Sequence, residues 1–105
     1  MPTNKYLPIH PGEILLEDFM KPFGISQNAL SRHLNVPPVT VHKIVHGRRG
    51  ITTETAFRLA TFFGNTPGFW LNLQKNYELE KAEDELLPEK IKQEVRPMVT
   101  SASLA

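Results

Sequence analysis

The chain has 105 residues, a net charge of +1 and no cysteine, which suits one domain with a modest core and excludes a disulfide framework or thiolate chemistry. No apolar run approaches the roughly 20 residues that span a bilayer, and residues 1–20 lack the basic, apolar and small-residue succession of a signal peptide, so a soluble cytoplasmic protein without a membrane partner is expected. The small net charge conceals an asymmetry: residues 21–58 set Lys21, Arg32, Lys43, Arg48, Arg49 and Arg58 against Glu54 alone, whereas residues 78–94 carry seven acids and three lysines. A basic middle beside an acidic end points to a polyanion-binding module with a second segment attached; solvated helix faces are the plainer reading.

Apolar residues recur at helical spacing and no segment alternates as a strand does, so an all-α fold is expected. The first helix opens at Pro11-Gly12-Glu13, where proline's missing N–H costs nothing. Ile14, Leu15, Phe19 and Met20 form its apolar face, and Pro22 and Gly24 end it. Ser26 caps the second helix, which turns Ala29, Leu30 and Leu34 inward and leaves Gln27, Asn28, Ser31, Arg32 and His33 to solvent. After a link of Asn35, Val36 and Pro37, a third helix from about Pro38 to His46 faces Val41, Ile44 and Val45 inward and stops at Gly47. A fourth helix, capped by Thr52 or Thr53, runs through Ala56, Leu59, Ala60 and Phe63 to Gly64. Thr66 caps a fifth, with Pro67 first and Phe69, Trp70, Leu73, Tyr77 and Leu79 inward. Beyond Leu79 the pattern weakens into charge, Pro88 interrupts it, and residues 97–105 read as a disordered tail. The expected organisation is a domain over residues 1–80 and an acidic, partly disordered extension over 81–105.

The second and third helices, with their short link, have the spacing of a helix-turn-helix. In that motif the second helix enters the major groove of DNA while the first crosses the backbone. Pro38, Val39, Thr40 and Lys43 stand at outer and forward positions of the third helix as base-reading candidates. Thr40 offers a hydroxyl and a methyl, Val39 only apolar contact, and Lys43 a donor for guanine or phosphate. His42 and His46 lie further round as DNA-facing candidates that gain charge as pH falls. Gln27 can present its amide and a helix N-terminus to a phosphate, and Arg48 and Arg49 can clamp the neighbouring backbone. Two short helices joined tightly are common, so a plain helical bundle competes with this reading.

Other constellations are weaker. His42 and His46 have metal-ligand spacing but no third ligand follows, so no metal site is expected. His10 with Glu13 and Glu17 is read as structural, no nucleophile–base–orienter set is present, and neither catalysis, a cofactor nor a small-molecule ligand is expected. Trp70, Phe69 and Tyr77, with Phe57, Phe62 and Phe63, are read as core or dimer interface rather than a base-stacking platform. Arg58 has two readings, an ion pair with Glu54 one turn earlier and a DNA contact.

The run SQNALSRHLNVPPVTVHKIVHGRRGITTETAFRLATFFGNTPGFWLNLQKNYELE closely resembles the Xre/Cro-type helix-turn-helix of HigA/VapI-type antitoxins. Upstream, HPGEILLEDFMKPFGIS matches that family's N-terminal signature, and GRRGIT and FWLNLQ match two further ones, so the resemblance covers about residues 8 to 80. It implies a compact five-helix lambda-repressor-like domain that forms a homodimer on a palindromic operator in its own promoter. It also implies neutralisation of a HigB-type ribonuclease toxin. The family's base-reading positions fall on Pro38, Val39, Thr40 and Lys43, and its phosphate-binding positions on Gln27 and Arg48, with Arg49 and Arg32 beside them. The family usually has a more polar residue where Pro38 and Val39 stand, a departure that shape readout can offset. The acidic stretch from Glu78 to Glu94 is read first as a solvated helix end and second as a surface for a basic toxin. The alternatives are a stand-alone transcriptional regulator, or chiefly a protein-binding inhibitor with weak DNA binding.

Overall fold

The structure, a computed structural model, describes residues 7–98, and within them all regular structure is helical. Helix α1 is continuous over residues 11–23 but has three parts: a turn Pro11–Ile14, a π-helical stretch Leu15–Met20 and a closing turn Lys21–Phe23. Then come α2 (Gln27–Leu34), α3 (Pro38–Val45), α4 (Thr53–Phe63), α5 (Pro67–Asp84) and α6 (Leu87–Glu94).

Pro22 does not end α1; it lies inside the closing turn, and Gly24 terminates the helix at φ 66°. The π stretch explains the tolerance. A proline within a helix lacks an N–H and crowds the carbonyl four residues back. Here the N–H of Lys21 reaches back five residues, to the Leu16 carbonyl, and this wider turn relieves the crowding. The same widening lets Leu15 and Met20, five residues apart, both be buried.

The caps follow the expected chemistry. Ser26 Oγ accepts from the Ala29 N–H at 3.1 Å, Thr52 Oγ1 from Thr55 at 3.2 Å and Thr66 Oγ1 from Phe69 at 3.1 Å. Asn35 closes α2 in the left-handed region at φ 58°, and Gly64 closes α4 at φ 79°. Between them the five helices of residues 11–84 enclose one apolar core around Trp70, which is fully buried and donates from Nε1 to Asn65 Oδ1 at 2.9 Å. Phe19, Phe69 and Phe63 surround its indole with ring centroids at 4.8, 5.0 and 6.0 Å.

Three expectations need correction. Ser31 is buried, not solvent-facing, because its hydroxyl donates to the Gln27 carbonyl at 2.9 Å and needs no water. Leu79 points outward, 56% exposed, and belongs to no core; Phe57, 58% exposed, also lies outside the core, which leaves the interface half of its reading open. Helix α5 continues past residue 80 to Asp84, and α6 follows with Pro88 in its first turn. The acidic extension is therefore helical over most of residues 81–94, residues 95–98 carry no regular structure, and the rest of the expected tail, residues 99–105, lies outside the described residues. The two helices are joined through Leu86, which stands at φ 62° without being glycine.

Candidate nucleic-acid interface

Helix α3 starts on Pro38 after the extended Pro37, so proline occupies a position with no hydrogen bond to lose. It ends in a double closure: the Gly47 N–H bonds to the Ile44 carbonyl at 3.0 Å and the Arg48 N–H to Lys43 at 2.8 Å, with Gly47 at φ 73°. Val41 and Ile44 are buried, whereas Pro38, Val39, His42, Lys43 and His46 are exposed. Positions 39, 42, 43 and 46 fall one helical turn apart, so they form one outward stripe.

Thr40 departs from its expected place. It is buried, and its Oγ1 accepts from Arg49 NH1 at 3.1 Å. Position 40 lies about 100° round the helix from position 39, which turns it toward the loop instead of the outer face. Arg49 itself is exposed, so its remaining amino group is turned to solvent while Thr40 holds the other.

Gln27, half-buried at the start of α2, meets the stripe directly: His42 Nδ1 lies 3.3 Å from its Oε1. His46 Nδ1 donates to the His42 carbonyl at 2.8 Å, and the two imidazoles sit 4.1 Å apart. Arg48 is exposed just beyond the helix end. Arg32 is exposed on α2 and makes no side-chain hydrogen bond among the described residues, so contact within the chain does not bring it to the stripe. Among the described residues no group of three or more His, Cys, Asp or Glu is placed to hold a metal ion, and no helix is long and apolar enough to cross a membrane.

A junction beneath the end of α3 fixes its position. His10 Nδ1 accepts from the Gly12 N–H at 2.9 Å and caps α1. A side chain at Gly12 would place its Cβ 1.8 Å from the Ile44 carbonyl oxygen, so α1 lies directly against α3 there. The His10 ring abuts Gly47 and packs edge-on against Tyr77 at 4.9 Å. Burial holds its imidazole below the ordinary histidine value, opposed by a hydrogen bond to the Arg49 backbone. Gln74 Oε1 accepts from the Ile51 N–H at 2.8 Å, and its amide covers Gly50 where a Cβ would stand 2.8 Å away. The segments HPGE, GRRGIT and FWLNLQ thus meet at one place. Arg58 is a second fastening: it pairs with Glu54 at 2.8 Å and donates from NH1 to the Leu34 carbonyl at 3.0 Å, closing the end of α2. The sequence offered the first of these contacts and gave no sign of the second.

A family profile described as helix-turn-helix matches residues 16–71. Virulence-associated protein I of Dichelobacter nodosus is 46% identical over 82 residues, covering 78% of this chain and 76% of that protein. The chain belongs to the HigA/VapI-type helix-turn-helix family. Among solved structures, an addiction-module antidote protein of the HigA family from Coxiella burnetii is 49% identical, covering 86% of this chain and 97% of that one, with a TM-score of 0.78. The Pseudomonas aeruginosa antitoxin HigA, solved with the higBA promoter, is 42% identical, covering 88% and 99%, with a TM-score of 0.81. The HigA/VapI-type family is one of DNA-binding regulators and antitoxins, a non-enzymatic class.

Proposed function

We propose that the protein is a HigA-like antitoxin that binds operator DNA in its own promoter, represses that operon as a homodimer and neutralises a HigB-type toxin in the cytoplasm. The observation that carries the reading is the outward stripe of Val39, His42, Lys43 and His46, flanked by Gln27 and Arg48. Lys43 reads bases, with Pro38 and Val39 adding apolar contact and shape, while Gln27, Arg48, Arg49 and Arg32 hold phosphates. His42 and His46 present their free ring nitrogens to the same groove. Thr40 serves as a positioning residue, fixing the guanidinium of Arg49. The promoter-bound Pseudomonas relative supports this assignment.

The test is binding of the protein's own promoter at several salt concentrations. The logarithm of the affinity should fall linearly with the logarithm of salt, by about 0.9 per phosphate neutralised. A slope near zero, or no binding, would reject the DNA-binding reading.

A purely DNA-binding regulator is the competing view, and α6 bears on it. Leu87, Ile91 and Val95 lie four residues apart and remain exposed along α6 and its C-terminal cap, at the end of a segment, residues 78–94, that carries seven acids against three lysines. An exposed apolar stripe following an acidic helix end fits a basic protein partner better than water. Residues 1–80 then form the DNA-reading domain, and the extension from residue 81 is the arm offered to the toxin. Co-purification with the product of the adjacent reading frame, lost in Ile91→Asp, tests the assignment; retention in that variant rejects α6 as the contact.

A further inference from the structure

We propose that His42 and His46 form a fixed pair of hydrogen-bond acceptors that select the amino-bearing bases, adenine or cytosine, at two neighbouring base pairs of the operator. The inference rests on the DNA-binding reading above and says what these two side chains read. A neutral imidazole carries one N–H and one bare nitrogen, and the partner of the first decides which is which. His46 Nδ1 faces the His42 carbonyl at 2.8 Å, and His42 Nδ1 faces Gln27 Oε1 at 3.3 Å. A carbonyl oxygen only accepts, so both protons sit on Nδ1. Each Nε2 is therefore bare, and neither has a hydrogen-bond partner among the described residues. Both side chains are exposed on the outward stripe of α3.

This tautomer decides what the pair can address. A bare nitrogen set against a phosphate oxygen, a guanine O6 or a thymine O4 meets another acceptor, and both are left without a partner. In the major groove the donors are the N6 amino group of adenine and the N4 amino group of cytosine. Every base pair carries one of them. An acceptor thus reads which strand bears the amino group, and not whether that base is a purine or a pyrimidine.

The two rings lie 4.1 Å apart, close to the rise of about 3.4 Å between base pairs, so they address successive steps. Lys43 on the same stripe is the complement, since its ammonium only donates and takes guanine O6 and N7. Gln27 acts through His42 as a positioning residue. With its Oε1 held by the ring, its amide N–H groups remain for a phosphate.

The experiment has two arms, both at about pH 8, above the ordinary titration range of imidazole. Nitrogen-15 NMR of the full chain without DNA should show both rings with the proton on Nδ1; an Nε2–H tautomer at either one overturns the proposal. In the second arm, affinities are measured for the promoter operator with each half-site position changed in turn to all four bases. Two neighbouring positions should accept adenine and cytosine about equally, and guanine or thymine roughly tenfold or more weakly. His42→Phe should abolish the preference at one of them and His46→Phe at the other. Circular dichroism should be unchanged, because both sites are exposed. Gln27→Leu, which releases the His42 ring, should relax only the position that His42 reads, a change that loss of a phosphate contact does not produce. His42→Arg should turn that position to guanine. Binding that shows no such pair of positions, or a preference that survives both phenylalanine variants, overturns the proposal and leaves the DNA-binding reading intact. Failure to bind any duplex at low salt rejects that reading itself, and the base assignment with it.

Discussion

Glycine 12 carries more structural consequence than its size suggests. In most helices Gly→Ala is stabilising by about 1 kcal/mol, because alanine is the better helix former. Here the added Cβ would stand 1.8 Å from the Ile44 carbonyl oxygen, which is backbone and cannot rotate aside. Gly12→Ala should therefore destabilise by about 3 kcal/mol, the upper end of ordinary overpacking, and chemical denaturation will show the sign directly. The hydroxyls of Ser31 and Thr40 teach a different lesson about legibility. A polar residue in a helical pattern is read as solvent-facing, yet both bond within the chain, to the Gln27 carbonyl and the Arg49 guanidinium, and are buried. Their burial depends on partners that periodicity does not encode. Caps such as Ser26 and Thr66, by contrast, act within three residues and were visible in the sequence.

Among the elements, α3 separates two kinds of contact. Lys43 stands on the outer stripe and Arg48 beyond the helix end. Lys43→Ala should relax base preference, with discrimination at one position falling by roughly 1–3 kcal/mol, while Arg48→Ala should weaken every sequence about equally and lower the salt slope by about 1. Affinities on operator and scrambled duplexes at two salt concentrations distinguish the profiles; identical profiles would undo the division. Helix α6 offers a prediction about the backbone. Leu86 holds φ 62° with its side chain 61% exposed, and the left-handed conformation costs a non-glycine residue about 1–2 kcal/mol. Leu86→Gly should raise stability by about 0.5–1 kcal/mol after glycine's greater entropy loss is counted, seen as slower amide exchange in α6. The sequence hid α6 because its charges masked a four-residue apolar spacing. It hid the π stretch of α1 because the buried positions there repeat at five residues, a period that resembles neither helix nor strand.

For the whole molecule, acid is the condition that tests the junction. His10 caps α1 through an unprotonated Nδ1, and burial keeps its pKa below the free value of about 6.5. The unfolded chain therefore binds this proton more readily than the folded one. The contribution is fully present above about pH 6.5 and is lost progressively as pH falls from there through the lower folded-state value. Melting temperature should drop across that window in wild type and less steeply in His10→Asn; equal slopes would remove His10 as the cause. The all-helical class and the order of the first five helices were legible because each helix carries its own cap and apolar face. The meeting of His10, Gly12, Gly47 and Gln74 was not, since residues far apart in the chain make contact only after the core has closed.

That junction lies on the inner side of α3, and the stripe of Val39, His42, Lys43 and His46 lies on the outer side. Apart from the reach of His42 to Gln27 and the contacts of Arg49 with Thr40 and His10, the residues that address DNA are not those that hold the scaffold together. Operator preference can therefore drift, or be exchanged by transplanting a handful of outward side chains, without a matching loss of foldedness. Related chains can in this way become mutually insulated switches while sharing one architecture.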